Sequence, residues 1–239
     1  MLKIYNFLEN HLQSIRKLIQ SLFFVYFLFF SGLCLCVLGV LERFILMRDF
    51  YLTSTLVVLL ITLILGRVFC GWVCPLGFIC DIIYKLRMKV SHLKFLPRVP
   101  EKIHSKMIYL KYGVLILFLY LTYKLSTYAF CKVCPLGTLT NLYGTVVSIM
   151  LLLFFLIMGF FYPLFFCRYF CPIGALLGIF SIKPLFKLKI KSEKCVNCKL
   201  CDRRCPVQIE LTKGIPQHEC IRCFECKSVC KKDALKYEI

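Results

Sequence analysis

The sequence CVNCKLCDRRCP at residues 195–206 contains four cysteines with the spacing C-x2-C-x2-C-x3-C, followed by a proline. The sequence CIRCFECKSVC at residues 220–230 repeats the same spacing. This is the spacing of a two-cluster iron–sulfur module, in which the first three cysteines hold one [4Fe-4S] cluster and the fourth ligates the other. Thiolates are the soft ligands that such clusters require. Structural zinc sites favour paired C-x2-C knuckles instead, so two tandem runs favour clusters over zinc.

The two runs predict two [4Fe-4S] clusters with crossed ligation. The first cluster set is Cys195, Cys198, Cys201 and Cys230. The second cluster set is Cys220, Cys223, Cys226 and Cys205. A disulfide framework is disfavoured because nothing else in the chain resembles a small secreted domain. We therefore expect a protein that carries electrons one at a time.

The composition indicates that most of the chain lies in a membrane. The 239 residues are 60% hydrophobic, and the mean hydropathy is +0.79, which is too apolar for a soluble domain. The formal net charge of +19 could suggest a nucleic-acid partner. The basic residues flank apolar runs, however, as orientation signals do, so we expect membrane lipid and no nucleic acid as a partner. No cleavable signal peptide is evident.

We predict an all-α polytopic membrane protein with four transmembrane helices and a small C-terminal two-cluster ferredoxin-like module. The predicted parts are an N-terminal segment at 1–20, a membrane domain at 21–182 and the module at 183–239. The predicted spans are about Ser21–Leu41, Tyr51–Phe69, Ile108–Tyr123 and Ser148–Phe166, each near the roughly 20 residues that a bilayer requires. Lys111 lies in the first turn of the third span, where we expect it to snorkel to the interface.

Lysine and arginine are unevenly distributed among the loops, which predicts the orientation. Residues 81–107 hold seven basic residues and residues 183–191 hold four, whereas 42–50 and 124–147 hold two each. The basic side contains the N-terminus, the loop after the second span and the cysteine-rich module. We therefore expect a bacterial inner-membrane protein with both termini in the cytoplasm.

A short motif occurs three times in the apolar part. It reads CGWVCPLG at 70–77, CKVCPLG at 131–137 and CRYFCPIG at 167–174, and we call these segments the first, second and third CP motifs. Proline suits the first turn of a helix, where its missing N–H is not needed. The preceding cysteine then lies at a helix N-terminus, where the helix dipole favours a thiolate.

The predicted topology brings the first and third CP motifs to the same face of the membrane. We expect Cys70, Cys74, Cys167 and Cys171 to converge as a shared redox or metal site. The alternative is a helix break with cysteine as a small apolar filler. The second CP motif falls on the opposite face, and for Cys131 and Cys134 a metal role and a disulfide or packing role remain equally open. The other cysteines are expected to pack in the core: Cys34, Cys36 and Cys80.

Several kinds of site are disfavoured by what the spans lack. None of the four histidines lies within a span, which argues against a bis-histidine haem in the bilayer. No glycine-rich nucleotide-binding motif is present. Arg67, three residues before Cys70, fits either an interfacial anchor or a partner for a quinone oxygen or a cysteine thiolate.

GRVFCGWVCPLG at 66–77, CRYFCPIG at 167–174 and the two C-terminal runs together resemble the NapH family of membrane quinol-dehydrogenase components. The resemblance covers about residues 20–235 and extends to the membrane parts of NosR-type and CcoG-type proteins. It implies four spans, two C-x3-C-P motifs on the cytoplasmic face and a cytoplasmic ferredoxin module. It assigns cluster ligation to the eight C-terminal cysteines, and electron transfer or subunit contact to Cys70, Cys74, Cys167 and Cys171. The pair in the second CP motif departs from the family pattern.

The leading hypothesis is an electron-transfer subunit that links a quinone pool to a redox partner through two [4Fe-4S] clusters. The partner would be a periplasmic reductase subunit or a ferredoxin-type protein. One alternative is a CcoG-like copper reductase or assembly factor, in which the CP cysteines bind copper transiently. A second alternative is a membrane regulator whose clusters sense redox state.

Overall fold

The computed structural model describes residues 2–29, 53–90, 92, 97–125, 138 and 145–238, and these ranges are mostly helical. The helices of the first half are α1 (Leu2–Phe29), α2 (Thr53–Leu65), α3 (Val68–Trp72), α4 (Pro75–Val90), α5 (Glu101–Met107) and α6 (Leu110–Leu125). They are followed by α7 (Val146–Phe161), α8 (Phe165–Tyr169) and α9 (Pro172–Phe180). The C-terminal module contains β1 (Lys187–Ile190), α10 (Leu200–Arg204), α11 (Glu225–Ser228) and β2 (Leu235–Glu238).

One stretch of the described chain is both long and apolar enough to cross a membrane, and it is Glu101–Leu125, which contains α5, α6 and the third predicted span. The helical segments Leu56–Leu65 and Val146–Phe161 are apolar but shorter; the former lies within the second predicted span, and the latter overlaps the fourth. Helix α1 continues through the predicted boundary at residue 21. The first predicted span extends beyond the described residues.

The helices that follow the first and third CP motifs are exchanged: each packs against the helix that precedes the other motif. Helix α4 follows the first CP motif but packs against α7, which precedes the third CP motif. Helix α9 follows the third CP motif but packs against α2, which precedes the first, and also against α6. The helices around each of these two motifs therefore complete the packing of the helices around the other.

One buried cluster joins the helical part to the C-terminal module. Leu76 of α4, Phe155 of α7 and Phe166 of α8 belong to the same cluster as Leu188 of β1 and Leu235 of β2. Strands β1 and β2 pair antiparallel, with Lys187 opposite Glu238 and Ile190 opposite Leu235. The strand pair ties the two ends of the module together, and the shared core fixes the module to the helices.

Lys111 does not snorkel, so this prediction was wrong. Its side chain is fully buried, and its Nζ donates to both carboxylate oxygens of Glu219, at 2.6 Å and 2.5 Å. A buried ammonium needs a charged partner. In this fold that partner comes from the C-terminal module, which the sequence pattern of the helix could not indicate.

Candidate iron–sulfur site

The two C-terminal cysteine runs have the same backbone conformation. The residues on either side of the second cysteine have left-handed backbone in both runs. Around Cys198, φ is 51° at Asn197 and 55° at Lys199; around Cys223, φ is 56° at Arg222 and 58° at Phe224. Left-handed backbone is costly for residues other than glycine and occurs mainly at functional sites. Its recurrence at the same positions bends both runs into the same tight loop.

The hydrogen bonds that close these loops are also repeated. Cys205 N donates to Asp202 O at 3.1 Å, and Cys230 N donates to Lys227 O at 3.2 Å. A further turn follows each fourth cysteine, with donation to the Cys205 carbonyl at 3.1 Å and to the Cys230 carbonyl at 3.2 Å. The two runs therefore share both the turn before the fourth cysteine and the turn after it.

The second cluster set lines one enclosed cavity. Cys205, Cys220, Cys223 and Cys226 all contact it, together with apolar side chains and Arg222. Burial raises the pKa of the Cys205 thiol to about 11. Burial, reinforced by the neighbouring thiols of the set, also raises the pKa of the Cys226 thiol well above its ordinary value. Thiols in such a site become thiolates when a metal centre supplies the compensating positive charge.

Arg222 gives a second reason why a cluster fits this cavity. Its side chain is 1% exposed, and its Nη2 donates to Gln217 Oε1 at 2.6 Å. Its Nε and Nη1 are buried without a hydrogen-bond partner among the described residues. Buried donors of this kind indicate an absent ligand. A cluster held by cysteine thiolates would supply acceptor sulfurs, and it would supply one-electron redox chemistry.

The first cluster set lies nearer the surface. Cys198 is exposed, while Cys195, Cys201 and Cys230 are half-buried. Burial, followed by the neighbouring Asp202 carboxylate, raises the pKa of the Cys201 thiol to about 11. The two predicted cluster sets thus differ in their access to solvent.

The first and third CP motifs form the same turn. In the first, the N–H groups of Val73 and Cys74 both donate to Phe69 O at 3.0 Å. In the third, Phe170 and Cys171 donate to Phe166 O at 2.9 Å and 3.0 Å. Proline then begins a helix in both motifs, as the sequence predicts. The short helices end at Trp72 and Tyr169, two residues before the second cysteine, and Cys171 is the N-cap of α9.

The glycine of each motif allows this turn to be tight. A Cβ at Gly77 would lie 2.9 Å from the Cys70 carbonyl oxygen, and one at Gly174 would lie 3.3 Å from the Cys167 carbonyl oxygen. Gly174 N also donates to Cys171 Sγ at 3.3 Å. A larger residue at either position would separate the two cysteines of its motif.

The structure brings the cysteines of these two motifs into one neighbourhood. Cys74 is within electrostatic range of Cys70, Cys167 and Cys171, and all four pack against the same buried cluster. Cys80, predicted to be a packing residue, is 2% exposed and also lies in that cluster. In the part of the chain that the structure describes, no group of three or more His, Cys, Asp or Glu side chains is arranged around a single metal ion. Cys131, Cys134, Cys34 and Cys36 lie outside the described residues.

The first CP motif contacts the second cysteine run directly. A Cβ at Gly71 would lie 2.2 Å from the Ile221 carbonyl oxygen and 3.5 Å from the Cys223 amide nitrogen. Trp72 Nε1 donates to Arg222 O at 2.9 Å. The backbone beside Cys70 is therefore in van der Waals contact with the backbone of the second cluster set.

Two buried acids beside the second run hold the module against the helices. Glu219, next to Cys220, pairs with Lys111 and with Arg67, whose Nη1 is 3.4 Å from Glu219 Oε2. Glu225, between Cys223 and Cys226, pairs with Arg16 of α1 at 3.4 Å and with Lys85 of α4 at 2.8 Å. A buried charge is tolerated in a protein interior when a group of opposite charge is paired with it. Each acid is paired with cations from two separate helical elements.

Arg67 is a buried partner of both cysteine systems. It is 2% exposed, and its Nη1 donates to the His218 carbonyl at 3.0 Å. It also lies within electrostatic range of Cys70 and Cys171. These contacts fit the prediction that Arg67 is the partner of a cysteine thiolate. A side chain buried this deeply does not fit the alternative prediction of an interfacial anchor.

Sequence reasoning did not identify Gly71, Trp72, Glu219 and Glu225 as parts of the site. Glycine and tryptophan contacts with a distant backbone leave no local signal. The two acids did leave a signal in the sequence, since the chain contains only 12 acidic residues and these two lie beside predicted cluster cysteines.

Comparison with known proteins identifies the family. The family described as "4Fe-4S binding domain" matches residues 50–93, 112–148 and 143–191, which together exceed half of the chain. Each matched segment contains one CP motif, so the threefold repeat is confirmed. The chain belongs to this NapH/NosR-like family of 4Fe-4S binding proteins.

Three relatives illustrate this membership. The chain is 58% identical over 230 residues to an uncharacterized protein, MJ0750, of Methanocaldococcus jannaschii, covering 95% of this chain and 96% of that protein. It is 28% identical over 186 residues to the putative electron transport protein YccM of Escherichia coli, covering 72% and 51%. It is 30% identical over 200 residues to the ferredoxin-type protein NapH of Haemophilus influenzae, covering 77% and 66%. No solved structure matches the chain significantly.

Proposed function

We propose that the chain is a membrane-bound electron-transfer subunit that links a quinone pool to a redox protein partner through two [4Fe-4S] clusters. The first and second cluster sets would each hold one cluster. The CP cysteines Cys70, Cys74, Cys167 and Cys171 would form a further redox or metal site. The chain would lie in the cytoplasmic membrane with four spans and both termini in the cytoplasm.

The contact between Gly71 and the loop at Ile221–Cys223 is the observation that carries this proposal. Electron transfer between two centres requires that they lie close together. The C-terminal module could have been attached through a linker, but its second cluster set is packed against the first CP motif. The names of NapH and YccM, a ferredoxin-type protein and a putative electron transport protein, support the same function.

The outward faces of three helices support a membrane location. Leu60 of α2 is 49% exposed, Ile116 of α6 is 67% exposed and Met150 of α7 is 65% exposed. Large apolar side chains that are exposed on several helices are unfavourable in water and suit a lipid environment. Such a location would give the chain access to a membrane-soluble quinone.

Metal analysis and EPR spectroscopy of the full chain, purified anaerobically in detergent, test the cluster assignment. We expect about eight irons from the C-terminal module, with acid-labile sulfide in equal amount, since each cubane contributes about four of each. A preparation containing about four irons, or containing zinc, would contradict the two-cluster assignment. Copper that is retained through the CP cysteines would favour the copper-reductase alternative.

Replacement of Cys70, Cys74, Cys167 and Cys171 by serine tests the role of the CP motifs. We expect the EPR signals of the C-terminal clusters to remain while their reduction by a quinol is lost. Quinol reduction at the wild-type rate would show that the CP cysteines are not required. The control is Cys34→Ser/Cys36→Ser, because these two cysteines lie outside the three CP motifs in the sequence.

A further inference from the structure

The two cluster sets differ in what surrounds them. The second set borders α3 of the helical part, and Cys220, Cys223 and Cys226 are buried. In the first set Cys198 is exposed to solvent. If both sets hold clusters, as the proposed function assumes, the first cluster is the one that a soluble protein can approach.

Basic side chains flank the cysteines of the first set. Lys194 and Lys199 adjoin Cys195 and Cys198, and two further lysines follow Cys230. All four lysines are exposed, and none forms a salt bridge with another described residue. Two apolar side chains are exposed beside them, Val196 at 65% and Leu200 at 37%. We call this surface the Cys198 rim, and it consists of Lys194, Val196, Lys199, Leu200, Lys231 and Lys232.

The two segments of the rim are adjacent in the fold. Lys191 N donates to Ala234 O at 2.8 Å, which extends the strand pair toward the cysteines. Cys195 N then donates to Lys191 O at 3.1 Å, and Asp233 N donates to Cys230 O at 3.2 Å. The lysines near Cys195 and those after Cys230 therefore lie on one surface, where the four lysines outnumber the two neighbouring acids, Glu193 and Asp233.

We propose that the Cys198 rim is the docking surface for a small acidic protein that carries a one-electron redox centre near its own surface. Unpaired lysines attract and orient an acidic partner, and exposed apolar side chains at the centre favour close contact. In the transfer, the first cluster set loses one electron, which reached the chain from the quinol of the proposed function, and the partner's centre gains it. No covalent bond or proton is exchanged. Docking at the rim brings the partner to the one exposed cysteine of the set.

Binding of a plant-type [2Fe-2S] ferredoxin, used as an acidic probe, tests this proposal. The full chain is reconstituted in nanodiscs of phosphatidylcholine, and association is followed by biolayer interferometry at several salt concentrations. We expect Lys199→Glu/Lys231→Glu to reduce the association rate about tenfold or more at low salt, since steering by complementary charge is worth about 10–10³ in rate. The difference should disappear near 1 M salt, where the screening length is about 3 Å.

The control variant is Lys102→Glu/Lys183→Glu, which makes the same charge change on two exposed lysines outside the rim. It should bind the probe like the wild type. Reduction of the clusters by methyl viologen, a small cation that needs no acidic docking, should remain in both variants. Absence of clusters from the wild type would contradict the proposed function itself. Intact clusters with salt-independent binding, or with equal binding by both variants, would overturn only the docking proposal.

The other anionic surface that a basic rim could face is that of lipid headgroups. Nanodiscs that contain phosphatidylserine separate this case from the docking of a protein. A rim that faces lipid would lose probe binding when anionic lipid is present, and rim variants would then bind the probe like the wild type in phosphatidylcholine. That outcome would overturn the proposal.

Discussion

At the scale of single residues, Gly71 determines how closely the first CP motif approaches the second cysteine run. The Ile221 carbonyl oxygen occupies the space that a Cβ would need, and Gln20 Nε2 donates to the Gly71 carbonyl at 2.8 Å. The residue is thus held by α1 on one side and by the cysteine loop on the other. Glycine is required here for space, since its backbone is helical.

Gly71→Ala is expected to destabilise the contact between the module and the helices. Overpacking of this kind typically costs about 1–3 kcal/mol. The measurement is the temperature at which the visible absorbance of the clusters is lost. Gly113→Ala is the control, because a Cβ there meets nothing within 4 Å and alanine favours a helix. Equal thermal stability of Gly71→Ala and the wild type would contradict the close approach.

Crossed ligation can be tested by combining cysteine replacements. If Cys205 belongs with Cys223, Cys205→Ser/Cys223→Ser removes ligands from one cluster only and about four irons should remain. By contrast, Cys205→Ser/Cys198→Ser removes a ligand from each cluster, so both should be lost. Iron and acid-labile sulfide per chain distinguish the outcomes. The opposite result, with both clusters lost from the first variant and one kept in the second, would mean that each run holds its own cluster.

At the scale of the elements, buried ion pairs fix the module to the helices. Glu219 connects the second cysteine run to α6 and to the start of α3, and Glu225 connects it to α1 and α4. Arg16 also pairs with Asp81 of α4 at 3.0 Å. These contacts come from elements that are far apart in the sequence. They make the module and the helices one packed unit.

Lys111→Met is expected to weaken this unit strongly. Glu219 would keep only the longer contacts with Arg67 and His218, and removal of one partner from a buried pair typically costs about 3–5 kcal/mol. We expect the midpoint for loss of cluster absorbance to fall by roughly 10 °C. Lys106→Met is the control, since Lys106 is exposed and lies five residues before Lys111, in α5. An unchanged midpoint for Lys111→Met would show that the pair contributes little to the docking.

Those parts of the site that are local could be predicted from the sequence. Cysteine spacing determines loop shape within a run, so two runs with the same spacing predict two loops of the same shape, as the turns at Asn197 and Arg222 show. Proline after the second cysteine likewise predicts where α4 and α9 begin. The partner of Lys111 could not be predicted, because the same apolar helix pattern fits both a snorkelling lysine and a buried one. The exchange of α4 and α9 depends on packing between distant segments, and it leaves no periodic signal.

At the scale of the whole molecule, the helices, the module and the basic residues are expected to share one orientation. The proposed cytoplasmic face carries the C-terminal module and the basic segment at 81–107, which includes the C-terminal part of α4. Both are physically connected in the fold, since Lys85 of α4 pairs with Glu225 of the module. A cluster set and a positively charged loop would then lie on the same side of the membrane.

Reporter fusions test this orientation. A reporter that is active only in the cytoplasm should be active when fused after Ile239 and inactive when inserted near Ser126. A periplasmic or extracellular reporter should show the reverse. External activity at Ile239 would contradict the four-span topology and the cytoplasmic position of the clusters.

The exchange of α4 and α9 has a consequence for biosynthesis. Helix α4 leaves the ribosome before its packing partner α7 exists, because more than fifty residues separate the two. At about 5–20 residues per second, the nascent chain waits several seconds with the first CP motif incomplete. During that interval Cys70 and Cys74 lack Cys167 and Cys171, their neighbours in the finished fold, so the group of four cysteines forms only after the third CP motif has been made.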